Sequence, residues 1–146
     1  MRAFAAVLLT LTLAASSALS ASEAFKAILG SYLEIHAQLA ADKTDGVKAA
    51  AAAIATQAES LGPAGAAIVK SAKSIAEAPD LKAARDAFGP LSDAVIAAGQ
   101  AEGWKDAGGA KVAFCPMVRK SWVQKDEKIK NPYYGTTMLE CGEIKK

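Results

Sequence analysis

Phe114–Gly142 reads FCPMVRKSWVQKDEKIKNPYYGTTMLECG and holds both cysteines of the chain, each with a methionine close by: Cys115-Pro116-Met117 at one end, Met138-Leu139-Glu140-Cys141 at the other. The fold class turns on this stretch, because what precedes it reads as an alanine-rich helical scaffold. Lys111–Pro116 has short extended character, and Asn131-Pro132-Tyr133-Tyr134-Gly135 reads as a turn whose proline presets the backbone angle. Thr136 or Thr137 can cap a final helical turn. The expectation is an all-α protein: an up-down four-helix bundle with an irregular C-terminal segment, 111–146, that carries two Cys-Met pairs.

Moving outward toward the N-terminus, Gly103-Trp104-Lys105-Asp106-Ala107-Gly108-Gly109 leaves the helical pattern and reads as a linker. Before it, Asp80 is a good N-cap for a helix from Leu81 to about Ala101, with Ala84, Phe88, Leu91, Val95 and Ala98 on its apolar side. Gly89-Pro90 predicts a kink or a short break inside that helix, since proline lacks the donor and clashes with the preceding turn. A helix over about 64–78 carries Ile68, Val69, Ala72 and Ile75 and ends before Pro79. Another fits Thr44–Leu61, with Asp42 or Thr44 as cap, Val47, Ile54 and Leu61 repeating every seven, and Gly62-Pro63 as its stop. The first, about 21–41, spaces Phe25, Ile28, Leu29, Tyr32, Ile35, His36 and Leu39 three and four apart. Short connections favour antiparallel neighbours, and heptad spacing agrees with near-parallel packing. Alanine-rich faces bury little area per residue. Trp104, Phe114, Trp122, Tyr133 and Tyr134 all follow the fourth helix, so the tail is expected to supply bulk against one end or groove of the bundle.

At the start, Met1-Arg2, an apolar run over Ala3–Ala15 and a small-residue stretch over Ser16–Ser22 have the layout of a secretory signal peptide, with Ala18-Leu19-Ser20 or Ser20-Ala21-Ser22 as cleavage triplets. The run is shorter than the roughly 18 to 20 residues a spanning helix needs, so no stable membrane span is expected after cleavage. Taking 1–21 as the leader leaves 22–146, 146 − 21 = 125 residues and enough for one domain. Without Arg2 the balance is 16 basic against 15 acidic residues, a formal charge of +1. That balance makes no case for nucleic acid, and Arg119-Lys120 and Lys145-Lys146 read as small solvated spots.

The chemistry lies with the sulfurs. In an extended Cys115-Pro116-Met117, residues two apart project to one side, and on a helical turn Met138 and Cys141 share a face. If the intervening loop folds back, two thiolates and two thioethers meet. Thioether sulfur suits copper(I), and by the same softness silver(I), whereas zinc takes thiolate, imidazole and carboxylate. His36, the only imidazole of the chain, is an outside candidate ligand. The alternative is a Cys115–Cys141 disulfide, which closes 26 positions and stabilises the fold by roughly 3 to 4 kcal/mol on the chain-entropy model. The chain holds no HExxH, GxSxG, Walker glycine loop or CxxCH, and one histidine leaves little for acid–base work, so no enzyme is expected.

The order Cys115-Pro116-Met117, Trp122, then Ile129-x-Asn131-Pro132-Tyr133-Tyr134-Gly135-x-x-Met138-Leu139-x-Cys141-Gly142 is preceded by Tyr32-Leu33-Glu34-Ile35-His36 and Leu39-Ala40-Ala41-Asp42, and by Phe88-x-x-Leu91-Ser92. This resembles a bacterial domain-of-unknown-function family. Its members occur as exported stand-alone proteins and as a domain appended to CusB-type periplasmic adaptors of copper and silver efflux systems. The chain departs from the family pattern at Val118–Ser121 and at Trp122-Val123-Gln124. The resemblance implies a helical bundle in the cell envelope that is associated with copper or silver handling. The expected function is thus a periplasmic copper(I)- or silver(I)-binding protein that buffers the ion or passes it to an efflux adaptor or copper carrier, with Cys115, Met117, Met138 and Cys141 as ligands. The alternative is a disulfide-stapled helical interaction module without metal.

Overall fold

The computed structural model describes residues 20–104 and 107–146. The leader expected over 1–21 lies outside them except for its last two residues. Four helices come first: α1 (Ala21–Ala40), α2 (Val47–Glu59), α3 (Ala66–Ala76) and α4 (Leu81–Ala101). Ser20 opens α1 by accepting a hydrogen bond from the Glu23 N–H at 3.3 Å. The helix buries Phe25, Ile28, Leu29, Tyr32, Ile35, His36 and Leu39, the face that the spacing predicts.

The end of α1 explains one misreading. Asp42 does not cap α2. It sits in the left-handed region, φ 57°, just past the α1 C-terminus, where the Lys43 N–H closes onto the Gln38 carbonyl at 2.8 Å. Helix α2 starts later than Thr44, from Gly46 at φ 73° with no side-chain cap. A tight 3-10 turn, Gly62–Gly65, joins α2 to α3. Asp80 caps α4 as expected, accepting from the Ala83 N–H at 2.8 Å. Helix α4 runs through Pro90 without a break. Pro90 is exposed, so water can satisfy the Asp86 carbonyl that loses its donor, as on the solvent side of many curved helices.

Neighbouring helices in the chain pack on one another, and α1 also meets α4. The core between them is Phe25, Ile28, Tyr32, Ile35, Leu39, Ile54, Ile68, Ile75, Phe88, Leu91 and Val95, with alanines at 51, 58, 72 and 84. A bundle core is therefore present, but the all-α expectation is wrong.

After the helices, β1 (Lys111–Cys115), β2 (Lys120–Gln124) and β3 (Glu143–Ile144) form an antiparallel sheet in the order β2-β1-β3. The protein is a mixed α and β fold. The register sets Ala113 opposite Trp122 and Phe114 opposite both Ser121 and Glu143. The β1–β2 turn passes through Arg119 at φ 55°.

The sheet packs on α4 and, through β2, on α1. Tyr32 of α1 stacks on Phe88 of α4 at 4.9 Å, Tyr133 leans on Phe88 at 6.0 Å, and Trp122 meets Tyr133 edge-on at 6.0 Å. The tail does supply the bulk the alanine faces lack. Two hydroxyls bind the outer edge of β2: Tyr32 accepts from the Val123 N–H at 3.0 Å, and Tyr133 donates to the Ser121 carbonyl at 2.7 Å. Ser92 of α4 joins both tyrosines, at 2.7 Å from Tyr32 and 3.3 Å from Tyr133.

Candidate metal and thiol site

Cys115 is the last residue of β1, and Cys141 lies two residues before β3. Because β1 and β3 pair at Phe114↔Glu143, the sheet register itself carries the two cysteines toward each other. Their Sγ atoms stand 2.9 Å apart, and both residues are free thiols.

Two buried amide side chains fix this closure. Asn131, fully buried, donates through Nδ2 to the Cys141 carbonyl at 2.8 Å, while its Oδ1 accepts from the N–H groups of Tyr133 at 2.8 Å and Tyr134 at 3.2 Å. Its own N–H donates to the Leu139 carbonyl at 2.7 Å. Gln124, equally buried, accepts from Trp122 Nε1 at 2.9 Å and from the Lys130 N–H at 3.1 Å, and donates to the carbonyls of Asp126 and Lys128. Every functional atom of each amide is used, as burial demands. The loop 125–141 is thereby folded onto Trp122. Gly142 completes the packing, since a Cβ there would lie 2.8 Å from the Trp122 ring.

A third cluster docks the tail on the bundle. Arg85 of α4 donates to the Pro132 carbonyl at 2.8 Å, to the Leu39 carbonyl at 2.7 Å and to Asp42 Oδ1 at 2.5 Å. Asp42 in turn accepts from the Thr136 N–H at 3.1 Å and from the Thr136 hydroxyl. Gly135, at φ 59°, passes so close that a Cβ would fall 2.0 Å from Asp42 Oδ1. The hydrogen bonds from Thr136, then from Arg85, hold the Asp42 carboxyl down to about 2.

The two thiols are not equivalent. Cys115 is buried and Cys141 is partly exposed. Burial pushes the Cys115 thiol up, but hydrogen bonds from Cys141, from the N–H groups of Val118 and Met117, and from the Asn131 side chain outweigh it and bring the group below its ordinary value. Donating to Cys115 raises Cys141. Of the two, Cys115 is thus the readier to lose its proton.

The two methionines are placed differently from expectation. Met117 does not continue an extended strand beside Cys115. It lies in the β1–β2 turn, 64% exposed. Nor do Met138 and Cys141 share a helical turn: the 3-10 turn stops at Thr137, Met138 is at φ −145°, and the Cys141 N–H donates to the Met138 carbonyl at 3.1 Å in a tight turn. Met138 is at the surface, 36% exposed.

His36 is buried on α1, where Nε2–H donates to the Lys130 carbonyl at 2.8 Å, and burial lowers its affinity for a proton. It pins the tail to α1. Among the described residues no three His, Cys, Asp or Glu side chains come together as a metal-holding group, so His36 does not join the two cysteines.

As a donor set, two thiols with thioethers on the adjoining turns fit a soft monovalent ion. At metal–thiolate lengths of about 2.3 Å, sulfurs 2.9 Å apart subtend an acute angle at an ion, so binding requires the pair to open. The Asn131, Gln124 and Asp42–Arg85–Thr136 clusters escape a reading of the sequence, because these residue types ordinarily mark turns, caps or surface. The one accessible signal is Asn131-Pro132, whose side chain binding its own chain two residues on is the habit of asparagine in turns.

No curated protein and no solved structure matches this chain. Among the described residues no helix is long and apolar enough to cross a membrane. A family model described as a protein of unknown function, DUF3347, matches residues 28–106, that is 106 − 28 + 1 = 79 of 146 residues. The matched stretch spans most of α1, then α2, α3 and α4, and stops before β1, so the cysteine pair lies outside it. By its helical half, this chain belongs to the DUF3347 family of proteins of unknown function.

Proposed function

We propose that the chain is an exported, periplasmic copper(I)- or silver(I)-binding protein without enzymatic activity, which buffers the ion or hands it to a CusB-type efflux adaptor or a copper carrier. The observation that carries this reading is the meeting of Cys115 and Cys141 Sγ at 2.9 Å. Cys115 and Cys141 supply the anionic thiolates. Met117 and Met138, at the surface on the adjoining turns, are the exchangeable ligands through which the ion enters and leaves, weak thioethers being easily displaced. The tail sequence with its Cys-Pro-Met and Asn-Pro-Tyr-Tyr-Gly elements supports the link to efflux adaptors, and the leader-like N-terminus supports export. Reduced protein titrated with copper(I) against a competing chelator is expected to take up about one ion. The Cys115→Ser/Cys141→Ser double variant is expected to lose it; an unchanged affinity in that variant rejects the site.

A second reading, the Cys115–Cys141 disulfide, is favoured by the same separation. The sulfurs need to close only from 2.9 Å to a bond of about 2.05 Å. In that case the protein retains no copper and acts as an interaction module, for which the aromatic residues Trp104, Trp122 and Tyr133-Tyr134 offer a surface to a partner. Trp122 is fully buried, so that surface is reduced to Trp104 and the tyrosines.

A further inference from the structure

A disulfide staple stabilises chiefly by constraining the unfolded chain. Here the closure stands without the bond. The β1–β3 register carries the two cysteines toward each other, and the Asn131 amide ties the Cys141 carbonyl to the turn that follows it. The thiols are in place while still free. They also differ in a way that gives any bond between them a direction: Cys141 is partly exposed, whereas Cys115 is buried at the end of β1.

We propose that Cys115 and Cys141 form a stoichiometric thiol–disulfide exchange site whose partner is a dithiol, with Cys141 the sulfur attacked and Cys115 the sulfur that leaves. A thiolate of the dithiol attacks Sγ of Cys141 in the oxidised pair. The Cys115–Cys141 bond breaks, and its electron pair goes to Cys115 as the leaving thiolate. A mixed disulfide now joins the dithiol to Cys141. The second thiol of the dithiol gives its proton to solvent and attacks the dithiol's own sulfur in that mixed disulfide. This releases Cys141, and both cysteines end as thiols once protons return from solvent. The dithiol has lost two electrons to become a disulfide, and the pair has gained them. In reverse, Cys141 attacks an external disulfide and Cys115 resolves it. Attack at the accessible sulfur, with departure of the enclosed one, is the favoured course of such exchange. The proposal does not depend on metal binding.

The test uses the full chain. The protein is oxidised with diamide, exposed briefly to reduced glutathione, quenched in acid and digested, and the glutathione adduct is located by mass. The adduct is expected on Cys141 in about tenfold or greater excess over Cys115. Dithiothreitol is expected to reduce the pair fully without denaturant, leaving the far-ultraviolet circular dichroism unchanged. An even split of the adduct, a preference for Cys115, failure of diamide to join the two, or reduction only after unfolding would each overturn the proposal. Oxidised glutathione offered to Cys115→Ser and Cys141→Ser should modify the first about tenfold faster than the second, and equal rates count against it. The copper(I) titration of reduced protein is a separate measurement, and either can fail without the other.

Discussion

The helical half and the C-terminal half solve the problem of packing by different means. From Ala21 to Ala101 the chain relies on apolar faces at helical spacing, with alanines allowing close approach and only a few polar side chains, His36 and Ser92, buried among them. From Ala107 to Lys146 the elements are too short for that. Burial there is organised by single side chains with many partners: Trp122 for area, Gln124 and Asn131 for hydrogen bonds, and the Asp42–Arg85 pair as the dock. In the first half stability is spread over many small contacts. In the second it is concentrated, so the two halves should answer differently to single substitutions.

The largest effect is expected at Trp122. Replacement by Ala removes the bulk around which the tail folds and should cost about 3 to 5 kcal/mol in denaturant unfolding; a cost near that of an ordinary surface change would mean the tail is not built on this residue. Next comes Asn131→Ala, which leaves the N–H groups of Tyr133 and Tyr134 and the Cys141 carbonyl without their partner. It should cost roughly 1 to 3 kcal/mol. Thiol reactivity at Cys115 should rise as the Cys141 turn loosens, while the far-ultraviolet helical signal persists. In the helical half Ile54→Val, at a fully buried position, should cost only about 0.5 to 1.5 kcal/mol and leave thiol reactivity unchanged. A change in cysteine labelling there would show that the halves are more tightly coupled than their contacts imply.

The smallest effect concerns the dock between the halves. Asp42 is held at about 2 against an ordinary value of 3.8, so its contribution is whole above the ordinary value and is lost as pH falls toward about 2. Acid unfolding followed by tryptophan fluorescence should show tail release in that window, and Asp42→Asn should flatten it. The sign for His36 is the same: its affinity for a proton is lowered by burial, so its contribution is present above the ordinary imidazole value and declines as pH falls below it.

The contrast also explains what could be read in the sequence. Helix α4 announces itself through Asp80 and the run of Phe88, Leu91 and Val95, because cap and period are local features. The strands do not. In β2, Trp122, Val123 and Gln124 are all buried, so period-two alternation is lost, and β3 is two residues long. What makes these segments strands is their pairing across the chain, as of Phe114 with Glu143. The cysteines and methionines were recognisable by type. Their geometry was not, because it depends on Asn131, whose burial no local pattern betrays. That the family match ends where β1 is about to begin sets the same boundary from another direction.

The tyrosines on β2 carry a consequence beyond packing. A three-stranded sheet has two open sides, and an open side is a template for a strand from another molecule. On the β2 side, an incoming strand would have to displace the Tyr32 bond to the Val123 N–H and the Tyr133 bond to the Ser121 carbonyl, both set among buried aromatic rings. On the other side β3 offers only two residues. The hydroxyls thus guard this small sheet against edge-to-edge polymerisation.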